Sequence, residues 1–282
     1  MKPQFRCAVF LLLLLGLISS GASPIAHAAD KPAPIVPSDG AITLFNGTDL
    51  GGLYVFMQDT KYEDPRQVFA VDNGILHISG DGFGGICTEK EYGNYHMICE
   101  FKWGGRTWGK REKSARDSGI LVHCTGPDGA YSGIWMASIE AQIIEGGVGD
   151  ILVVPGNDAD GNPVPLSLTA DVVKDRDGET VWSKEGTPQT FTRGRINWWG
   201  RDPDWKDQLG FRGPEDKDSP AGEWTRMDVI CDGDRVTVKV NGTVVNSGYN
   251  AVPQAGKLTL QTELAEILVR RWELWPLGKA PE

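Results

Sequence analysis

One short run concentrates the groups that could do chemistry. Ser138-Ile139-Glu140-Ala141-Gln142-Ile143-Ile144-Glu145-Gly146-Gly147 sets two carboxyls and a carboxamide among apolar residues. On a strand, Glu140 and Gln142 point to one face and Ile139, Ala141 and Ile143 to the other. Glu145 has odd spacing from Glu140, so it joins that face only if a bulge near Ile143-Ile144 re-aims it. With the bulge, Glu140, Gln142 and Glu145 line one groove, and paired carboxylates in a groove are the usual apparatus for acid/base work on sugars. The competing reading is a solvated polar face. The flanking apolar residues argue for burial, and buried carboxylates are rarely incidental.

Two further groupings extend the candidate set. Arg116-Asp117-Ser118-Gly119-Ile120-Leu121-Val122-His123 opens a strand with Arg116 and Asp117 at its mouth and His123 near its far end. Arg116 and Asp117 suit substrate binding, or pairing with each other. His123 is a candidate base, although a lone histidine is more often structural. The second grouping is Arg195, Asn197, Trp198, Trp199 and Arg201, followed by Trp205, Phe211 and Arg212. Aromatic faces stack on sugar C–H faces while Arg and Asn bind hydroxyls, and Trp135 is counted with them. Of the neighbours Trp198 and Trp199, one is expected in the core, because adjacent strand residues face opposite ways.

The elements that must position these groups read as strands. Val68–Val71, Ile75–Ile78, His96–Trp103, Gly119–Cys124, Ile139–Ile144, Arg226–Cys231, Arg235–Val240 and Ile267–Leu274 are short apolar or alternating runs between turn signals. Asp72-Asn73-Gly74 and Asn241-Gly242 are hairpin signals. No segment holds a helical apolar stripe for three turns, so an all-β antiparallel domain is expected. Gly146 to Pro165 and Trp199 to Gly222 resist strand assignment and read as long loops, where sites tend to sit.

The N-terminus reads as a secretory leader. Lys2 and Arg6 precede an apolar run from Cys7 to Ile18, and Ala26-His27-Ala28 fits a cleavage site. The expected organisation is a leader over 1–28, a Pro-rich tether over 29–40 and one domain over 41–282, with the product in the periplasm or secreted. The run is too short for a membrane span, and none recurs, so no membrane insertion is expected. A net charge of −10 argues against nucleic acid as a partner. Beyond the leader, Cys87, Cys99, Cys124 and Cys231 lack CxxC spacing, which excludes a zinc knuckle. Cys87 and Cys99 could pair across a hairpin, or all four are small buried hydrophobes, the reading a domain of this size favours. Asn157 to Asn162 fails as a calcium loop, because the EF-hand register puts the first ligand on Gly156 and the last on Ser167. No GxSxG, HExxH or P-loop occurs.

Leu44-Phe45-Asn46-Gly47-Thr48-Asp49-Leu50, Asp72-Asn73-Gly74-Ile75-Leu76, Tyr92-Gly93-Asn94-Tyr95, Glu100-Phe101-Lys102-Trp103, Asp117-Ser118-Gly119-Ile120, Ile139-Glu140-Ala141-Gln142-Ile143, Gly222-Glu223-Trp224, Gly256-Lys257-Leu258-Thr259-Leu260-Gln261 and Arg270-Arg271-Trp272-Glu273-Leu274 follow one another in an order that resembles the 3-keto-disaccharide hydrolase domain family. Asp117 replaces the usual Asn. The likeness runs from about Ile42 to Leu277. It implies a concanavalin A-like β-sandwich, a jelly roll, acting on an oligosaccharide or glycoside. The Glu140 strand is also similar to the ExDxxE strand of β-glucanases, with Gln142 in place of the Asp. Glutamine cannot titrate, which disfavours the retaining glycosidase mechanism.

A 3-keto sugar offers another route. The ketone acidifies C2–H, a base removes that proton, the enolate expels the C1 substituent, and water adds back. Glu140 or His123 is the expected base and Glu145 the acid. Arg116, Arg195 or a bound divalent cation is expected to hold the enolate oxygen, and Gln142 to orient a hydroxyl or carbonyl. The rival classes are a non-catalytic carbohydrate-binding module and a conventional β-glucan glycosidase.

Overall fold

Alternation writes the strands. Arg235–Val240 buries Val236, Val238 and Val240 while Arg235, Thr237 and Lys239 face outward, the period-two pattern of a sheet with one covered face. The computed structural model describes Met1 and residues 32–282. Apart from Met1, the expected leader lies outside the described residues. Ala33–Glu282 forms one compact unit.

In chain order the strands are β1 (Ile42–Thr43), β2 (Leu53–Met57), β3 (Phe69–Asp72), β4 (Ile75–Ile78), β5 (Phe83–Thr88), β6 (Tyr92–Gly93), β7 (Tyr95–Thr107), β8 (Asp117–Thr125), β9 (Ala137–Ile144), β10 (Ile151–Val154), β11 (Ser167–Lys174), β12 (Thr180–Trp182), β13 (Thr187–Phe191), β14 (Gly194–Ile196), β15 (Thr225–Asp232), β16 (Arg235–Val240), β17 (Thr243–Val252), β18 (Ala255–Glu263) and β19 (Ala265–Trp275). Among the described residues the one helical element is a 3₁₀ turn, Gly109–Glu112. No helix there is long and apolar enough to cross a membrane.

The strands form two antiparallel sheets, the sandwich expected of the concanavalin A-like class. One runs β12-β11-β17-β16-β15-β7-β19-β4-β3, with β1 on β19 and β13 on β11. The other, which carries the site, runs β14-β10-β9-β8-β18-β5-β2, with β6 on β18. Met97, Cys99, Phe101, Met227, Val229 and Trp272 of the first sheet, and Ile120, Val122, Ile139, Ala141, Ile143 and Leu260 of the second, belong to one buried core. Among the described residues Cys87, Cys99, Cys124 and Cys231 are free and buried, as small hydrophobes rather than staples.

Two segments differ from expectation. Gly146 to Pro165 is not all loop: a tight turn after β9 returns as β10, with Leu152 opposite Glu140. Gly146 and Gly149 take positive φ there, at +76° and +102°, so glycines that read as loop composition serve a reversal. Within the expected tether, Ile35 makes a parallel bridge to Tyr92, its N–H donating to the Glu91 carbonyl at 2.8 Å.

Candidate active site

β9 decides the site, because every residue from Ala137 to Ile144 is buried. Its inner face joins the sandwich core. Its outer face carries Ser138, Glu140, Gln142 and Ile144, which are also covered. Cross-strand register sets their neighbours. Glu140 lies opposite Leu121 of β8 and Leu152 of β10, and Leu152 lies opposite Arg195 of β14. Gln142 lies opposite Gly119. A cavity of about 580 Å³ opens over this face, lined by Asp117, Glu140, Gln142, Arg195, Gln261 and Glu263, with Tyr131 and Trp135 among its aromatic walls. The rings of Tyr131 and Trp135 are stacked, 13° from parallel with centroids 6.4 Å apart. Trp135 is fixed by its indole N–H, which donates to the Gly84 carbonyl at 2.8 Å.

Glu140 is 4% exposed and takes no hydrogen bond from any described residue. Burial pushes its carboxyl well above the usual range, and the charges of Asp117 and Glu263 push it further, against the pull of Arg195. Asp117 is likewise raised, by burial and then by Glu263, against Arg111 and Arg195. It accepts from the Gln142 carboxamide and the Arg111 guanidinium. Arg111 also donates to Glu263 at 2.9 Å, so one buried cation ties two carboxyls of the cavity. Arg195 donates through Nη1 to Asp150 at 2.8 Å. Fully buried Asp150 also accepts from Arg201 and from the Trp198 N–H, at 2.9 Å for the latter. Arg195 is thereby anchored from behind while it lines the cavity.

The structure brings together five of the residues expected from sequence: Glu140, Gln142, Asp117, Trp135 and Arg195. The others lie elsewhere. The bulge expected near Ile143-Ile144 is absent, because β8 and β9 pair without a slip from Asp117–Ile144 to Val122–Ile139. Glu145 therefore leaves the sheet outside the cavity lining. It accepts from the Arg116 backbone N–H at 2.9 Å, Arg116 Nη1 at 2.5 Å and the Gly210 N–H at 2.8 Å. This pair joins strand ends to the 199–222 loop, so the expected acid and its neighbour Arg116 act as a clasp.

His123 sits where β8 does slip, between Val122 and Thr125, at φ +53°. It is fully buried, outside the cavity lining, and burial pulls its imidazole down to about 4. Asn197 donates to Glu179 at 2.6 Å. Arg201 pairs with Asp150 and lies over the Trp205 ring, 4.5 Å from its centroid. Trp198 is core at 1% exposure. Trp199 is 41% exposed and lines a different depression with Trp182 and Val173.

Sequence reasoning missed Glu263, Gln261, Tyr131 and the buried anchors Arg111 and Asp150. Glu263 had a usable signal, since it follows Gln261 at strand spacing in Leu260-Gln261-Thr262-Glu263. Among the described residues, the one grouping of three potential metal-ligating side chains is Asp175, Asp177 and Glu179, none of which lines the cavity.

The 3-keto-alpha-glucoside-1,2-lyase-like domain model matches residues 40–274. The chain belongs to this family. No curated protein matches the sequence. Solved structures similar to this lyase-like domain include a protein described as a candidate glycosyl hydrolase from Parabacteroides distasonis, 19% identical, with TM-score 0.49 over 85% of this chain and 94% of that one. A second from the same organism is 16% identical, with TM-score 0.45 over 83% and 98%. A Bacillus licheniformis β-glucanase is 10% identical, with TM-score 0.42 over 84% and 98%.

Proposed function

We propose that this carbohydrate-active domain is an exported enzyme that cleaves 3-keto-glycosides by elimination across C1–C2 followed by hydration. The observation that carries this reading is Glu140: a buried carboxyl without a hydrogen-bond partner, lining a cavity it shares with one anchored guanidinium. A carboxyl raised by burial is a poor resting anion and, once ionised, a stronger base than an exposed one. Removing a proton next to a ketone requires that strength.

In this reading Glu140 takes the C2 proton. The C–H electron pair becomes the C2–C3 enolate, whose charge settles on the C3 oxygen beside Arg195. The enolate reforms the ketone as the C1–O bond breaks, and Glu140 returns its proton to the departing oxygen. Water then adds across C1–C2, with its hydroxyl at C1. No carboxylate nucleophile is needed, which suits a strand bearing Gln142 where a glucanase has Asp. Asp117 and Glu263 keep Glu140 basic by repulsion, and Tyr131 and Trp135 offer the stacking surface. Export rests on the leader read in residues 1–28.

The test compares aglycone release from a glucoside and from its 3-keto derivative, the latter also deuterated at C2. Faster release from the keto form, with deuterium lost to solvent beyond an enzyme-free control, is the expected result. Equal rates on both forms, or full retention of deuterium in the released sugar, would overturn it.

A further inference from the structure

Gln261 is the cavity residue with the least explained surroundings. Its side chain is 1% exposed, and neither Oε1 nor Nε2 has a hydrogen-bond partner. Its backbone is settled, with the carbonyl accepting from Ser118 Oγ at 3.1 Å. An amide removed from water with nothing in exchange destabilises a folded chain. Here that amide stands in the wall of the cavity. Its neighbourhood is equally specific. Gly119 has no side chain, and a methyl group built there would collide with both the Glu140 carboxyl and the Gln261 carboxamide. The absent Cβ thus leaves the acid/base candidate and the orphaned amide side by side.

We infer that Gln261 is the specificity-determining contact for an α-hydroxyketone, its N–H₂ donating to the C3 ketone oxygen and its Oε1 accepting from the C2 hydroxyl of the 3-keto ring. A carboxamide presents one donor and one acceptor in a plane. That pattern complements a carbonyl beside a hydroxyl, and it holds C2, the carbon that loses its proton, next to Glu140. The inference rests on the 3-keto reading above and adds the residue that recognises the keto group.

The test uses Glu140→Gln protein, in which ligand is not consumed, and measures Kd for the methyl glycoside of 3-keto-glucose and for its 2-deoxy analogue. Adding Gln261→Leu should raise Kd for the 3-keto ligand about 10–100-fold while leaving Tm unchanged or higher, because an unpaired buried amide is removed. The 2-deoxy ligand should bind less tightly when Gln261 is present and lose less on Gln261→Leu. Unchanged Kd on Gln261→Leu, or no binding of the 3-keto ligand with Gln261 intact, overturns the inference. So does a fall in Tm shared by Gln261→Leu and Gln261→Met, since the amide then has a protein partner. Wild-type aglycone release, measured alongside, reports separately on the 3-keto reading. Turnover that survives Gln261→Leu with unaltered KM sinks the Gln261 role and leaves that reading standing.

Discussion

At the residue scale, shape and charge separate cleanly at Glu140. Glu140→Gln keeps the side chain's volume and removes only the ionisable proton, so turnover should fall about 10²–10⁴-fold, the span general acid/base groups supply. Circular dichroism should stay that of the parent sandwich. Near-wild-type turnover in the folded variant would show that the carboxyl is only structural. The tryptophan pair makes a second contrast. Trp198→Ala empties a core position and should cost about 3–5 kcal/mol, read as a lowered denaturation midpoint. Trp199 is 41% exposed; its indole N–H donates to the Val244 carbonyl, its ring meets Trp198 edge-on, and the Lys217 ammonium lies over it. Its replacement by Ala should cost about 1 kcal/mol or less and leave kcat/KM unaltered, because it lies outside the cavity lining. Weakened substrate affinity in that variant would instead return Trp199 to the sugar site.

At the element scale, what was legible in sequence follows from how strands show themselves. Ile75–Ile78 and Arg235–Val240 alternate, and the strands they form have the same bounds as the sequence runs. β5 carries no such signature, because Gly84 and Gly85 interrupt any alternating apolar run there. Its glycines are packing requirements: a Cβ on Gly84 would meet the backbone of β2, and one on Gly85 the side chain of Thr259. β10 was lost among loop-like neighbours, and with it the reason Asp150 anchors Arg195. The face shared by Glu140 and Gln142 follows from period two alone. The position of Glu145 does not, since it depended on a bulge that formed instead at Val122–Thr125 of β8. Sequence spacing states which residues share a face. It does not state where a strand slips. Gly119 tests the packed version of this logic. Gly119→Ala should displace Glu140 and Gln261, costing about 1–3 kcal/mol of stability and on the order of 100-fold in turnover. Unchanged kinetics would mean that the opening over Gly119 is not where the reaction occurs.

At the scale of the whole molecule, buried ionisable groups should shape how stability varies with pH. Glu140 and Asp117 have folded pKa values raised by burial and like charge, and Asp216 is raised to about 6, chiefly by burial. A raised carboxyl is fully compatible with folding below its unfolded value and loses stability as pH climbs through the folded one. His123 works oppositely. Its folded value is down near 4, so stability falls as pH drops from about 6.5, where the unfolded chain takes up the proton, toward 4. Between about pH 4 and 6.5 the His123 and Asp216 slopes offset each other. Above that window His123 no longer contributes, while Glu140 and Asp117 penalise the folded state until pH passes their raised folded values. The wild-type Tm should therefore decline as pH climbs out of the His123 window through the raised folded values of Glu140 and Asp117. Part of that decline comes from general repulsion in a chain of net charge −10, so the comparison needs a variant that removes one buried group. Glu140→Gln should come closest to wild type near pH 4, where the wild-type carboxyl is neutral in the folded state and mostly protonated in the unfolded one, and become progressively more stable than wild type as pH rises. Calorimetry across pH 4–9 reads this directly. Parallel Tm curves for the two proteins would show that Glu140 titrates like an exposed carboxyl, and the pKa argument for it as the base would fall with them.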